Sequence, residues 1–249
     1  MSLYAVITAG GRVRGEFARA IGTDIKALAP LGSRCLIDPA IEAVRSIGVA
    51  AIAVIGPREV SAHCGARVDC TIDAAASGTE NILRALRVFP DAGRLVFLTS
   101  DMPFIEAAAL GLFVERSQRW ALTMALSPGD AYAAEFPAAP PHVVRFGRAS
   151  FANGSAFVID RSAVAPLERV AGKFFCARKS LPRLATLLGP ALCLRFACRR
   201  LRIADIERRA AAVLGIEARA IADAAPGLCY DVDDLADWTY AHSRRLADG

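Results

Sequence analysis

No stretch of the chain runs to the roughly 18 uncharged residues that a helix needs to cross a bilayer, which argues against a helical membrane span. The apolar excess, 54% hydrophobic residues, comes instead from Ala, Leu and Val interrupted by Arg every few positions. Met1, Ser2, Leu3 and Tyr4 enter an apolar strand pattern without a basic leader or a small-residue cleavage site, so the expectation is a cytoplasmic chain without a secretory signal or disulfides. The cysteines form no C-x-x-C pair and have no His at metal-ligand spacing, and they read as small buried hydrophobes. Histidine is scarce, with His63, His142 and His242 scattered along the chain. With no G-x-S-x-G elbow either, nothing points to a Ser, Cys or His nucleophile. The first glycine-rich loop is not followed by Gly-Lys-Ser/Thr and lacks the G-x-G-x-x-G spacing, which excludes a Walker A loop and a dinucleotide fingerprint. There is no internal repeat and no low-complexity tract.

What remains is a chain of 249 residues and net charge +5, long enough to bury a large core. The modest, dispersed positive charge suits small anionic ligands such as nucleotides better than a nucleic-acid groove, and no nucleic-acid partner is expected. Short apolar runs at Leu3 to Thr8, Ala50 to Ile55, Arg94 to Thr99 and Ala121 to Leu126 read as strands, the first three separated by helical patterns. This alternation predicts an α/β fold of three layers, a mostly parallel sheet covered on both faces. The clearest helix starts at Asp38 and Pro39 and stops at Gly48; others begin near Thr79 and after Pro103. Gly129 to Pro141, rich in Ala and Pro, reads as a loop. Ser155 to Ile159, Ile216 to Ile221 and Leu228 to Val232 read as returns to the sheet, and Val164 to Gly215 as a basic helical insertion in a single domain spanning 1–249.

Three segments have the residue types that phosphate and metal chemistry needs. The first strand ends in Thr8, Ala9, Gly10, Gly11, Arg12, Val13, Arg14 and Gly15, where glycines let backbone N–H groups approach phosphate oxygens and the arginines supply countercharge. A simple turn is the plain alternative. Ser77, Gly78 and Thr79 open a helix, whose N-terminus offers unpaired donors to an anion or merely carries its own cap. Strand Arg94 to Thr99 leads into Asp101-Met102-Pro103, and a carboxylate at the carboxyl end of a central strand suits Mg²⁺. An Asp capping a helix before Pro103 is the alternative there.

Ala9-Gly10-Gly11 with Arg14-Gly15, then Lys26-Ala27-Leu28-Ala29-Pro30-Leu31-Gly32 and Leu36-Ile37, resembles the opening signature of the MobA-like NTP transferases. The resemblance extends to the Asp101-Met102-Pro103 turn and to Tyr230-Asp231-Val232-Asp233-Asp234-Leu235, which is similar to the family's closing D-I-D-T-P motif with Thr-Pro replaced by Asp234-Leu235. It implies a Rossmann-like nucleotidyltransferase fold of the GT-A type and transfer of a nucleoside monophosphate from an NTP, with GTP and CTP the leading donors, to a small anionic acceptor under Mg²⁺. By position, Ala9, Gly10, Gly11 and Arg12 would bind the nucleotide together with Ser77, Gly78 and Thr79. Arg14, Lys26 and Asp101 would be catalytic, and Asp101 with Asp233, then Asp231, would hold the metal. Asn153 and Gly154, in a turn, and Arg178 and Lys179, in the insertion, would line the acceptor site. The spacer from Glu16 to Ile25 is longer than the family's, and taken alone Lys26 reads as a surface lysine. Asp231 and Asp233 also read as caps for the last helix.

Two other readings stay open at the level of sequence. Asp231-Val232-Asp233 spells the D-x-D of nucleotide-sugar glycosyltransferases, though at the C-terminal end of the chain, and the altered closing motif also suits a nucleotide-binding regulator without turnover. Nothing in the sequence selects the acceptor or sets the oligomeric state, and a homo-oligomer stays open.

Overall fold

Strand β1 (Leu3–Thr8) sends Ala5 and Ile7 into one apolar layer and Val6 into the other, all fully buried. A strand buried on both sides needs cover on both sides, and the computed structural model, which describes residues 2–75, 78–177 and 189–247, provides it. The main sheet runs in the order β10 (Ala218–Ile221), β7 (Leu122–Pro128), β9 (Ala149–Asp160), β6 (Arg94–Thr99), β1, β4 (Ile52–Gly56) and β5 (Cys70–Asp73), with β8 (Val143–Phe146) paired to β9. β1 is parallel to β4 and β6, β4 to β5 and β7 to β10, while β9 runs antiparallel to β6, β7 and β8. Strands β2 (Pro30–Leu31) and β3 (Arg34–Cys35) form a separate antiparallel hairpin.

One face is covered by α1 (Gly15–Ile21), α2 (Asp38–Ser46), α3 (Arg58–Cys64), α5 (Ala107–Arg116), α6 (Gly129–Glu135) and α10 (Leu235–Ala247). The other is covered by α4 (Gly78–Arg87) and α7 (Arg161–Ala177), through Ala85, Leu86, Ala163 and Val164. The three-layer, mostly parallel α/β architecture is therefore the expected one. From β1 the chain builds outward through β4 and β5, then crosses back through α4 to β6 on the other side of β1. The strand order reverses between β1 and β6, and the crevice above their carboxyl ends is where open α/β sheets bind ligands.

Four local expectations need correction. Gly129 to Pro141 is not a loop: α6 occupies its first half, because Tyr132 and Phe136, four residues apart, bury together in an aromatic cluster, and the prolines fall after the helix end. Asn153 and Gly154 lie inside the long strand β9 rather than in a turn, because β7 and β8 pair with it on either side. Leu228 to Val232 is not a strand; a 3₁₀ turn, Pro226–Leu228, leads into a segment that crosses the sheet end, where the Val232 N–H donates to the Asp101 carbonyl at 2.9 Å. Cys64 and Cys229 are buried as expected, whereas Cys35, Cys70 and Cys193 are half-buried and Cys198 is exposed. In the insertion, α7 is followed by α8 (Pro190–Ala197) and α9 (Ile203–Leu214), with Arg178 and Lys179 outside the described residues. No described helix is long and apolar enough to cross a membrane.

Gly154 shows how tightly β9 is seated. A Cβ there would lie 2.7 Å from the Ala125 carbonyl oxygen and 2.8 Å from that of Leu228, both backbone atoms. Gly154→Ala is expected to destabilise the fold by about 1–3 kcal/mol, measured by denaturant unfolding; an unchanged midpoint would contradict this packing.

Candidate active site

The chain leaves β1 through Ala9, Gly10 and Gly11, and the two glycines have different reasons to lack side chains. A Cβ on Gly10 would meet Ala74 Cβ at 3.1 Å and Asn81 Nδ2 at 3.4 Å; one on Gly11 would meet Lys26 Cε at 3.3 Å. Lys26 thus reaches the crevice across the surface of Gly11, and its N–H is tied to the Gly11 carbonyl at 3.0 Å. Within the described residues the N–H groups of Gly10, Gly11 and Arg12 have no protein acceptor, an arrangement suited to an anion. Ala9 is buried, and its N–H donates to the Ile55 carbonyl at 2.7 Å.

Lys26 lies in a 3₁₀ turn, Lys26–Leu28, and its ammonium is the centre of the site. It forms an ion pair with Asp101, donates to the Val232 carbonyl at 2.8 Å and lies 3.6 Å from Asp233 Oδ1. Its side chain is 16% exposed and that of Asp101 10%, so Lys26 is not a surface lysine. Burial pulls the ammonium pKa down, but the charge and hydrogen bond of Asp101, then the charges of Asp233 and Asp231, outweigh this and hold it above its ordinary value. Lys26 is therefore a fixed positive charge.

Asp101 follows β6 and does not cap a helix; α5 begins at Ala107 with Glu106 as its cap residue. The opposite wall is the segment around Tyr230, which is fully buried against Phe104 and Phe136 with ring centroids 4.9 and 5.0 Å away. This aromatic cluster directs Asp231 inward, where Ser155 Oγ on β9 donates to Asp231 Oδ2 at 2.6 Å. Burial first, then the Asp101 and Asp233 charges, push the Asp231 carboxyl pKa up to about 8 against the opposing effects of Ser155 and Lys26. Asp233 is at the rim, its side chain 72% exposed. The expectation ranked Asp233 ahead of Asp231; in the structure Asp231 is the buried one facing Asp101. Neither caps α10, since Asp234 Oδ1 accepts from the N–H groups of Ala236 and Asp237.

The residues present fit a hard divalent cation. Asp101 and Asp233 both meet Lys26, Asp231 lies within reach of both their charges, and one oxygen of each buried carboxylate, Asp101 Oδ1 and Asp231 Oδ1, has no hydrogen-bond partner among the described residues. Buried polar atoms are rarely left so, and an oxygen-coordinated ion is the kind of ligand that would satisfy them.

The remaining predicted residues divide clearly. Arg14, exposed at the start of α1, makes no ion pair or hydrogen bond among the described residues, whereas Arg12 pairs with Asp24 at 2.6 Å. Gly78 and Thr79 form the first turn of α4; Ser77 lies outside the described residues. Asn153 is exposed on β9 and Gly154 is buried in its packing. Ser155 and the Val232 carbonyl were not foreseen, because no sequence pattern links them to Asp231 or Lys26.

Asp237 fixes the wall from behind. Its carboxylate accepts from the N–H groups of Asp233 and Asp234 and pairs with His142 at 2.6 Å. Burial pushes the Asp237 pKa up, but His142 and the backbone donors reverse this and leave it lowered; the hydrogen bond from Asp237 is the main cause of the raised His142 pKa. The pair's contribution is therefore fully present between the unfolded values, about 3.9 for Asp and 6.5 for His. It is lost as pH rises through the raised His142 value, and also as pH falls through the lowered Asp237 value. The Tm difference between wild type and His142→Gln should be largest near about pH 6 and shrink by about pH 9; a difference independent of pH would contradict this linkage.

A model of the MobA-like NTP transferase domain matches residues 5–191. No curated protein matches the sequence. Among solved structures, a hypothetical transferase from Thermus thermophilus is similar at 28% identity and TM-score 0.84, covering 96% of this chain and 100% of its own. A CMP:2-keto-3-deoxy-manno-octonic acid synthetase complexed with CTP has TM-score 0.63 at 14% identity, over 100% of both chains. A Mycobacterium tuberculosis H37Rv protein in complex with manganese has TM-score 0.54 at 16% identity, again over 100% of both chains. The last two likenesses are of fold.

Proposed function

From the premise that the chain belongs to the MobA-like NTP transferase family, we propose that this nucleotidyltransferase is Mg²⁺-dependent and cytoplasmic, and moves NMP from GTP or CTP to a small phosphorylated acceptor, releasing pyrophosphate. The observation that carries the reading is Lys26 held between Asp101, Asp233 and the Val232 carbonyl, beside a loop whose N–H groups have no acceptor among the described residues. The whole chain is read as one such domain, with the basic insertion beside it.

Phosphoryl-group transfer needs alignment and charge neutralisation more than a protein nucleophile. Asp101, Asp231 and Asp233 would hold the metal, which when bound supplies countercharge to the triphosphate oxygens. The N–H groups of Gly10, Gly11 and Arg12 would cradle the phosphates, with Arg14 adding charge from the start of α1. Lys26 would turn from Asp101 to the reacting phosphate and stabilise the charge that develops there and on departing pyrophosphate. Ser155 would keep Asp231 aimed inward. In this account the acceptor's phosphate or hydroxyl oxygen forms the new bond to the α-phosphorus as the bond to pyrophosphate breaks.

Two features count against the glycosyltransferase reading. Asp231 and Asp233 of the D-x-D spelling differ sharply in burial, and the carboxylate nearer to Lys26 is Asp101, from the end of β6, rather than Asp233. Thermal stabilisation by GTP, CTP, ATP and UTP, with and without Mg²⁺, tests the proposal. A rise selective for one base that needs Mg²⁺ and disappears in Asp101→Ala supports it; no rise with any nucleotide refutes it.

A further inference from the structure

Far apart in the chain, Cys35 and His63 meet at the start of α2, on a part of the molecule that shares no side chain with the cluster around Lys26. Cys35 ends the β2–β3 hairpin, Asp38 opens α2 and His63 lies in the last turn of α3. One donor atom from each lies within 4.8 Å of the others, and all three side chains line a cavity of about 370 Å³. We propose that Cys35, Asp38 and His63 form a binding site for one thiophilic divalent cation of the zinc kind, separate from the Mg²⁺ position.

The donor set decides the class of ion. Sulfur, imidazole nitrogen and carboxylate oxygen together are zinc ligands, and a thiolate selects against Mg²⁺, which takes oxygen. The geometry is largely set in advance. The Cys35 N–H donates to Asp38 Oδ2 at 2.7 Å, and His63 Nε2 lies 2.7 Å from Asp38 Oδ1, so the carboxylate is fixed from both sides. Cys35 Sγ, half-buried, has no hydrogen bond among the described residues. That atom has no part in the Asp38 network, and a coordinated ion would give it one.

Arg67 Nη1 is the cation now on Asp38 Oδ1, at 2.8 Å. Its guanidinium also donates to the carbonyls of Cys64 at 3.3 Å and His63 at 2.9 Å, so it keeps two anchors when the carboxylate is given to a metal. On binding, the Cys35 S–H bond breaks, its proton passes to solvent and a sulfur–metal bond forms; the His63 Nε2 proton that now faces Asp38 passes to solvent while Nδ1 keeps or takes up one, and neutral His63 gives the freed Nε2 lone pair to the metal. Two positive charges then meet one thiolate and one carboxylate, and Arg67, still anchored on its two carbonyls, leaves the site with one positive charge. The remaining coordination position opens to the cavity, the arrangement of zinc sites that take water or a small ligand.

The test is a titration of metal-depleted full-length protein with Co²⁺ in excess Mg²⁺. One equivalent should bind and produce a thiolate-to-cobalt charge-transfer band that one equivalent of Zn²⁺ abolishes. Cys35→Ala should lose the band and bind Zn²⁺ about 100-fold or more weakly, and His63→Gln, with its partly exposed side chain, should weaken binding by at least about tenfold. Asp101→Asn and Cys198→Ser should both keep the band, so failure at the nucleotide site cannot be mistaken for failure here. Absence of the band in wild type, or its persistence in folded Cys35→Ala, overturns the proposal.

Discussion

Asp101→Asn lowers acceptor-dependent pyrophosphate release by about 10³-fold or more while leaving the protein folded. The substitution keeps the shape of a side chain that is almost fully buried at the end of β6 and removes its charge. Asp101 is the direct partner of Lys26, and its unpaired Oδ1 is one of two buried oxygens suited to a hard cation. A loss of about 4 kcal/mol of charge stabilisation is the 10³-fold expected. The fold should tolerate the change, because Lys26 retains Val232 and Asp233 as partners. Steady-state release of pyrophosphate with a panel of sugar and polyol phosphates reads the effect. Activity within tenfold of wild type would remove Asp101 from the mechanism.

Lys26→Met should cost about 10²–10³-fold in kcat, the magnitude seen when a positioned donor to a developing anion is lost. Methionine matches the length of the lysine stem and can cross Gly11 as the native side chain does. What it lacks is the ammonium among Asp101, Asp231 and Asp233. Without divalent metal, the Asp101 and Asp233 charges then lack that countercharge, so the variant should melt below wild type. Added Mg²⁺ should restore much of that loss while the kcat defect stays. An equal melting temperature without metal, or a kcat within a few-fold of wild type, would show that Lys26 does not balance the cluster.

The parts of this architecture legible in the sequence are those built from local signals. Strand Arg94–Thr99 was readable to the residue, because an apolar run ends there in a polar turn, and α2 was readable from Asp38, Pro39 and its apolar stripe. The glycine loop, Lys26 and Asp101 are legible from residue type and family spacing, although the length of the segment before Lys26 leaves its register open. In the structure a hydrogen bond from the Lys26 N–H to the Gly11 carbonyl and a bridge between Arg12 and Ile25 bring Lys26 beside the glycine loop.

What escaped depends on contacts between distant segments. α6 was hidden because alanines and prolines read as a loop until Tyr132 and Phe136 are seen to share a cluster with Tyr230. The different fates of Asp231 and Asp233 could not be read, since both stand in one short acidic run and only the approach of Ser155 and Asp101 separates them. Cys35 and His63 likewise have no common motif, and α2 and α3 bring them together only in the folded chain.

The central claim is that the cluster of Lys26, Asp101, Asp231 and Asp233 is a metal-dependent nucleotidyl-transfer site. Pyrophosphate release from GTP and CTP, measured with a panel of phosphorylated acceptors in Mg²⁺ and again in EDTA, tests it most directly. The account predicts release that requires one nucleotide, one acceptor class and Mg²⁺. Tight nucleotide binding with no pyrophosphate from any acceptor, or release undiminished by EDTA, would contradict it.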